Sequence, residues 1–207
     1  MIKIKQYINE LMASNCYVVY DNITNVCIIV DPGSERSERE IVFIEENSLH
    51  LDYIILTHEH TDHTWGCNSL LEKFAPKVVC SEACFQELPK AGDMYFQLYY
   101  DNPNYHYEVS CVDILIENIE YQLDWNGLAI HFTPTPGHSK GSICFDIGNY
   151  LFSGDTIMKY KPYVPKKRGS MEEYKISVEC IEKMYSNKNM ILCPGHGEMM
   201  KYKNDEK

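Results

Sequence analysis

The spacing of apolar positions changes period along the chain, and each change marks an element. "NCYVVYD" (15–21) and "VCIIVDPG" (26–33) are short β-rich runs closed by turn residues, and together they predict a hairpin. "SERSEREIVFIEENS" (34–48) opens on a serine cap and continues with helical spacing. "DYIILT" (52–57) is the continuous apolar run of a strand buried on both faces. "NSLLEKF" predicts a helix, "KVVCS" a strand and "SEACFQEL" another short helix. From residue 88 the pattern breaks down until "VDILIENIEYQLD" (112–124). The Asn-Gly turn of "WNG", the strand "LAIHFTPT" and a hairpin "SICFDIG-NY-LFSGDT" follow. "SMEEYKISVECIEKMYS" (170–186) begins with a capping box, Ser170 and Glu173, and repeats apolar residues at helical spacing. "MILCPGHG" predicts a last strand.

Two sheets packed on each other with helices outside accommodate this order. A chain of 207 residues, 44% hydrophobic, fits one domain over 1–207, with a candidate lid at 88–111. The net charge of −11 argues against a general affinity for nucleic acid or anionic membrane. The first 22 residues lack a signal-peptide core, and no 18-residue apolar span exists. Nine scattered cysteines without a C-x-x-C pair point to reduced thiols, so a cytoplasmic location is expected.

The chemistry concentrates in "THEHTDH" (57–63). Side chains at i and i+2 of an extended strand end share one face, with α-carbons roughly 7 Å apart, so His58 and His60 can converge on one ion. A turn after His60 would aim Asp62 and His63 at a second, neighbouring position. Three further candidates lie just past apolar strands and beside glycine: His138 in "TPTPGHSKGS", Asp155 in "LFSGDT" and His196 in "CPGHG". A lone histidine after a strand is usually a surface or core residue. Five in this setting point instead to a metal or catalytic centre. His50, His106 and His131 have no such setting and read as structural or exposed.

"THEHTDH", "TPGHSKGS", "SGDT" and "PGHG", in that order, together with the early "NCY" and Asp31 in "VDPG", resemble the metallo-β-lactamase fold superfamily, closest to its glyoxalase II-like hydrolases. The resemblance implies an α/β (α+β) fold in four αββα layers. It implies that His58, His60 and His138 hold a first metal, that Asp62, His63 and His196 hold a second, and that Asp155 bridges them. Imidazole and carboxylate donors without thiolate suit zinc, with iron or manganese as alternatives. Two divalent ions, two aspartates and a bridging hydroxide sum to one residual positive charge, which suits an anionic transition state. Asp62 is then the catalytic group that orients the nucleophile and returns its proton to the leaving group. Eleven residues follow His196, so a short form without the helical domain of full-length glyoxalase II is expected.

The expected activity is hydrolysis of a small ester-like substrate, thioester first and lactone next. Alternatives are a phosphodiesterase on nucleotide- or phospholipid-type substrates, an iron-dependent persulfide dioxygenase and, last, a non-enzymatic metal-binding module. "YFQLYYDNPNYHY" (95–107) holds six aromatics, among them Tyr99 and Tyr100, suited equally to a lid over the metals, to packing on a neighbouring helix or to a homodimer contact. "KYKPYVPKKR" (159–168) brings Lys159, Lys161, Lys166, Lys167 and Arg168 together without an acid. It is a candidate anion-recognition segment, or a solvated loop.

Overall fold

Two six-stranded sheets divide the chain in sequence order. The computed structural model describes residues 2–10, 12–91, 93–117 and 121–202. The first sheet runs β1 (Lys3–Ile8), β2 (Asn15–Asp21), β3 (Val26–Val30), β4 (His50–Ile55), β5 (Lys77–Ser81), β6 (Ile114–Ile116), with each strand beside the next. Its first three strands pair antiparallel, and β3 to β6 pair parallel. The second sheet contains β7 (Tyr121–Trp125), β8 (Leu128–Pro134), β9 (Ile143–Ile147), β10 (Tyr150–Gly154), β11 (Met190–Pro194) and β12 (Met200–Tyr202). It is antiparallel except where β10 meets β11.

Strand alternation sorts side chains into three cores. Tyr17, Val19, Ile28, Ile55 and Val79 face Ile130, Phe132, Phe145 and Phe152 between the sheets. The rings of Phe145 and Phe152 stack there, 4.7 Å apart and 11° from parallel. Val18, Ile29, Ile54 and Val78 point the other way and pack on Ile44 of α1 (Glu38–Glu46) and Leu70 of α3 (Cys67–Phe74). Behind the second sheet, Cys144, Leu151 and Leu192 meet Ile181 and Tyr185 of α6 (Met171–Tyr185). The result is the four-layer αββα sandwich of the metallo-β-lactamase fold.

Several local expectations shift. The serine at position 34 does not cap α1, which starts at Glu38. Ser37 precedes it in a left-handed conformation without a cap bond, while Ser34 Oγ donates to Asn9 Oδ1 instead. Ser170, in contrast, caps α6 as the capping box predicts, accepting from the Glu173 amide. The segment after residue 88 starts in helix, because α4 (Glu82–Ala91) runs past Pro89 and α5 (Asp93–Tyr99) follows, and then continues in turns and irregular backbone from Tyr100 to Asp113. Residues 118–120, inside the predicted 112–124 run, lie outside the described residues. All nine cysteines are free thiols, seven of them buried. No helix among the described residues is long and apolar enough to cross a membrane.

Candidate metal centre

All seven expected ligands meet at one edge of the two sheets. His58 lies just beyond β4, and the chain turns at His60, the extended residue before the single-turn helix α2 (Thr61–Thr64) that carries Asp62 and His63. His138 comes from the β8–β9 loop, Asp155 follows β10, and His196 follows β11. Strand ends deliver the ligands and turns aim them.

Two clusters result. His58 Nε2 and His138 Nε2 each lie 3.0 Å from His60 Nδ1. Three nitrogens about 2 Å from one tetrahedral ion stand roughly 3.3 Å apart, so this triad is close to ligating geometry. In the second cluster Asp62 Oδ2 is 3.4 Å from His63 Nε2 and 3.5 Å from His196 Nε2. Asp155 lies between the clusters: its Oδ2 is 3.4 Å from His138 Nε2 and 3.6 Å from His196 Nε2, and its Oδ1 is 3.7 Å from His63 Nε2. His63 Nε2 and Asp155 Oδ1 are buried without a hydrogen-bond partner. Orphaned polar atoms at such a site are costly unless an ion satisfies them, so the donor set fits divalent metal. Gly195 keeps the space open, since a β-carbon there would run into Asp155 Oδ1.

The far nitrogens fix the rings. His63 Nδ1 donates to Asp31 Oδ2 at 3.0 Å. Thr57 Oγ1 donates to the same carboxylate at 2.6 Å and accepts from His58 Nδ1 at 3.0 Å. His138 Nδ1 donates to the Tyr163 carbonyl at 2.8 Å. Each bond sets a tautomer that leaves Nε2 bare towards the ion position. Asp31 thus holds one histidine of each cluster, a role its sequence setting did not reveal. Two further contacts steady the loops: Ser14 Oγ donates to the Asp62 carbonyl, and Ser139 Oγ donates to Glu59 Oε2 at 2.9 Å.

Electrostatics differ between the clusters. Burial holds the proton affinity of His58 well below its ordinary value, and the neighbouring histidines add to this. Burial and His138 likewise push His60 down to about 3. Burial also lowers His138, against an opposing pull from Asp155. At His63 burial again disfavours charge, but Asp62, Asp31 and Asp155 outweigh it and push the imidazole up to about 10. His196 is raised because Asp155 overcomes its burial. Asp155 is held low, since bonding to His196 and the charges of His63 and His138 outweigh its own desolvation.

A family model described as the metallo-beta-lactamase superfamily matches residues 10–196. The chain belongs to that superfamily. It is 27% identical over 156 residues to a hydroxyacylglutathione hydrolase of Pelagibacter ubique (strain HTCC1062), a match covering 73% of this chain and 54% of that relative's length. Its fold is similar to the BLEG-1 B3 metallo-beta-lactamase, with a TM-score of 0.83 and 24% identity, covering 96% of this chain and 94% of the other. It is also similar to TTHA1623 in a di-iron-bound form, with a TM-score of 0.77 and 20% identity, covering 95% and 94% of the two chains.

The remaining expected residues of this superfamily member fall in two places. Phe96, Tyr100, Tyr105 and Tyr107 cluster with Trp65, the residue after α2; Trp65 and Phe96 centroids are 4.8 Å apart. The Tyr107 hydroxyl donates to the Thr64 carbonyl and that of Tyr100 to Glu35. These rings buttress the helix bearing Asp62 and His63, while Tyr99 packs its ring edge-on to Trp65 and stays exposed. The basic segment lies directly over His138, through the Tyr163 carbonyl, and the Arg168 charge is felt at His60. His50, His106 and His131 are exposed, with ordinary carboxylate neighbours.

Proposed function

We propose that this chain is a binuclear metal-dependent hydrolase of small ester-like substrates, with thioesters preferred and lactones next. The observation that carries the reading is Asp155, whose carboxylate reaches histidines of both clusters. Imidazole and carboxylate donors favour zinc, with iron or manganese as substitutes. Divalent ions in such a site supply Lewis acidity and a water acidic enough to ionise near neutral pH.

The protein's own groups do the rest. Asp62 is 14% exposed at its side chain, the least buried carboxylate of the centre, and so stands between the ligand cage and solvent. It orients the attacking water, takes its proton and returns that proton to the leaving sulfur as the C–S bond breaks. The products are a carboxylate and a free thiol. Asp31, through Thr57 and His63, keeps both histidine rings from turning while this happens. The hydroxyacylglutathione hydrolase relative supports the thioester preference.

Metal analysis with a panel of thioester, lactone and phosphodiester substrates tests the proposal. Two ions per chain and thioester turnover are expected. A single ion with His63 and His196 turned away refutes the binuclear site, and turnover of phosphodiesters alone refutes the ester preference.

A further inference from the structure

The stretch between Asp155 and Glu172 contains no acidic residue, in a chain whose net charge is −11. It holds Lys159, Lys161, Lys166, Lys167 and Arg168, all exposed, and between them the rings of Tyr160 and Tyr163, 75% and 78% exposed. Such a run on a distant loop would be ordinary solvated surface. Here it is fastened to the metal centre at several points. The Tyr163 carbonyl accepts from His138 Nδ1, and the Ser170 amide donates to the Gly137 carbonyl at 2.8 Å. Gly169 is pressed so close to the Gly137 and His138 carbonyls that a β-carbon would collide with both. The buried Pro162 and half-buried Val164 anchor the middle of the stretch and leave the cations outward. The acidic residues that follow, Glu172 and Glu173, occupy the first turn of α6, where the helix dipole favours them.

Cations beside exposed tyrosine rings, with Lys159 Nζ itself 5.6 Å over the Tyr160 ring, match a ligand that carries both phosphate and a flat heterocycle. Lysine and arginine bind phosphate oxygens by charge-assisted bonds, and tyrosine rings stack on bases. A peptide thiol offers neither in comparable measure. We propose that residues 159–168 bind the phosphorylated, nucleotide-bearing end of a thiol carrier, so that the substrate is an acyl thioester of such a carrier. This inference rests on the thioester reading above and deepens it. Water adds to the acyl carbon, the C–S bond breaks, and the sulfur leaves with the electron pair and takes a proton; the carrier's phosphates stay intact.

The test uses the full-length, metal-loaded chain with coenzyme A as probe. Calorimetry is expected to show coenzyme A binding about tenfold or more tighter than glutathione, with affinity falling as salt is added. The combined variant Lys161→Gln, Lys166→Gln, Lys167→Gln should lose that advantage and raise KM for acetyl-coenzyme A with little change in kcat. Lys3→Gln, an exposed lysine at the start of β1, should not. Equal affinity for the two thiols, or an unaffected triple variant, overturns the inference. So does turnover of acetyl-coenzyme A and the small neutral acetyl-N-acetylcysteamine with equal kcat/KM, an outcome that leaves the hydrolase reading standing. No turnover of any thioester by chain loaded with two ions overturns both.

Discussion

The cluster of His58, His60 and His138 and the cluster of Asp62, His63 and His196 lie a few ångströms apart, yet they are prepared for metal in different ways. In the first, burial and the neighbouring histidines keep the imidazoles neutral, so three ring nitrogens already converge. In the second, carboxylates hold a proton on His63 and raise His196. Without metal, the first site presents imidazoles kept neutral by burial, and the second pairs a charged His63 with the carboxylates around it. An ion entering the first meets neutral imidazoles; an ion entering the second must expel protons.

The strongest way to break this contrast is to remove the residue the two clusters share. Asp155→Asn keeps the shape but takes away the charge, so both ions should be lost and turnover should fall by more than the roughly 100-fold limit of changes outside the ligand shell. Metal content by emission spectrometry after gel filtration checks it. Two retained ions with near-normal hydrolysis would falsify the bridging role. Next in size, His196→Ala should cost one ion and His138→Ala the other, with titration showing a single remaining site in each case. A variant of either kind that emptied both would mean the clusters are not separable.

Asp31→Asn should act more gently. It loosens His63 directly and His58 through Thr57, so affinity should fall about 10- to 100-fold at both positions with two ions still bound at saturation. The smallest effect sharpens the contrast by pH. Binding of the second ion should release protons and tighten as pH rises towards about 10, while the first responds little over the same range. In metal-free protein the raised His63 contributes stability that is complete below its unfolded value of about 6.5 and lost as pH climbs through about 10. Melting of chelated protein should therefore weaken across that window, and a flat profile would count against a protonated His63.

The ligand loops were legible because chemistry there constrains spacing. His58 and His60 need alternation, Asp62 and His63 need a turn, and glycine marks the strand ends behind His138, Asp155 and His196. Strands buried on one or both faces, such as β3, β4 and β9, showed through in the same way. The edge strands β1 and β12 did not, because a half-exposed edge tolerates polar residues at either phase, as in "KIKQYI" with all six positions only partly covered or exposed. The helix α5 stayed hidden because its sequence lacks a regular apolar stripe: Phe96 is fully buried while Leu98 and Tyr99 face solvent. Asp31 could be read as a turn residue, but that its carboxylate serves both clusters depends on β3 lying beside β4. That adjacency is a fact of sheet order, which periodicity does not carry.

The sheets divide the chain at the β6–β7 connection, and the ligands divide with them. His58, His60, Asp62 and His63 come from the first half, whereas His138, Asp155 and His196 come from the second. Each proposed ion would therefore take donors from both halves and work as a rivet across their seam. Ligands bound only by the folded state raise its stability by mass action. A cell short of metal would then lose more than activity: the seam opens more often, and proteases gain access to the inner faces. Chelation is expected to hasten proteolysis with first cuts at the seam, and unchanged cleavage would show that the hydrophobic layer between the sheets holds without the rivets. On this reading, the abundance of the protein follows metal supply.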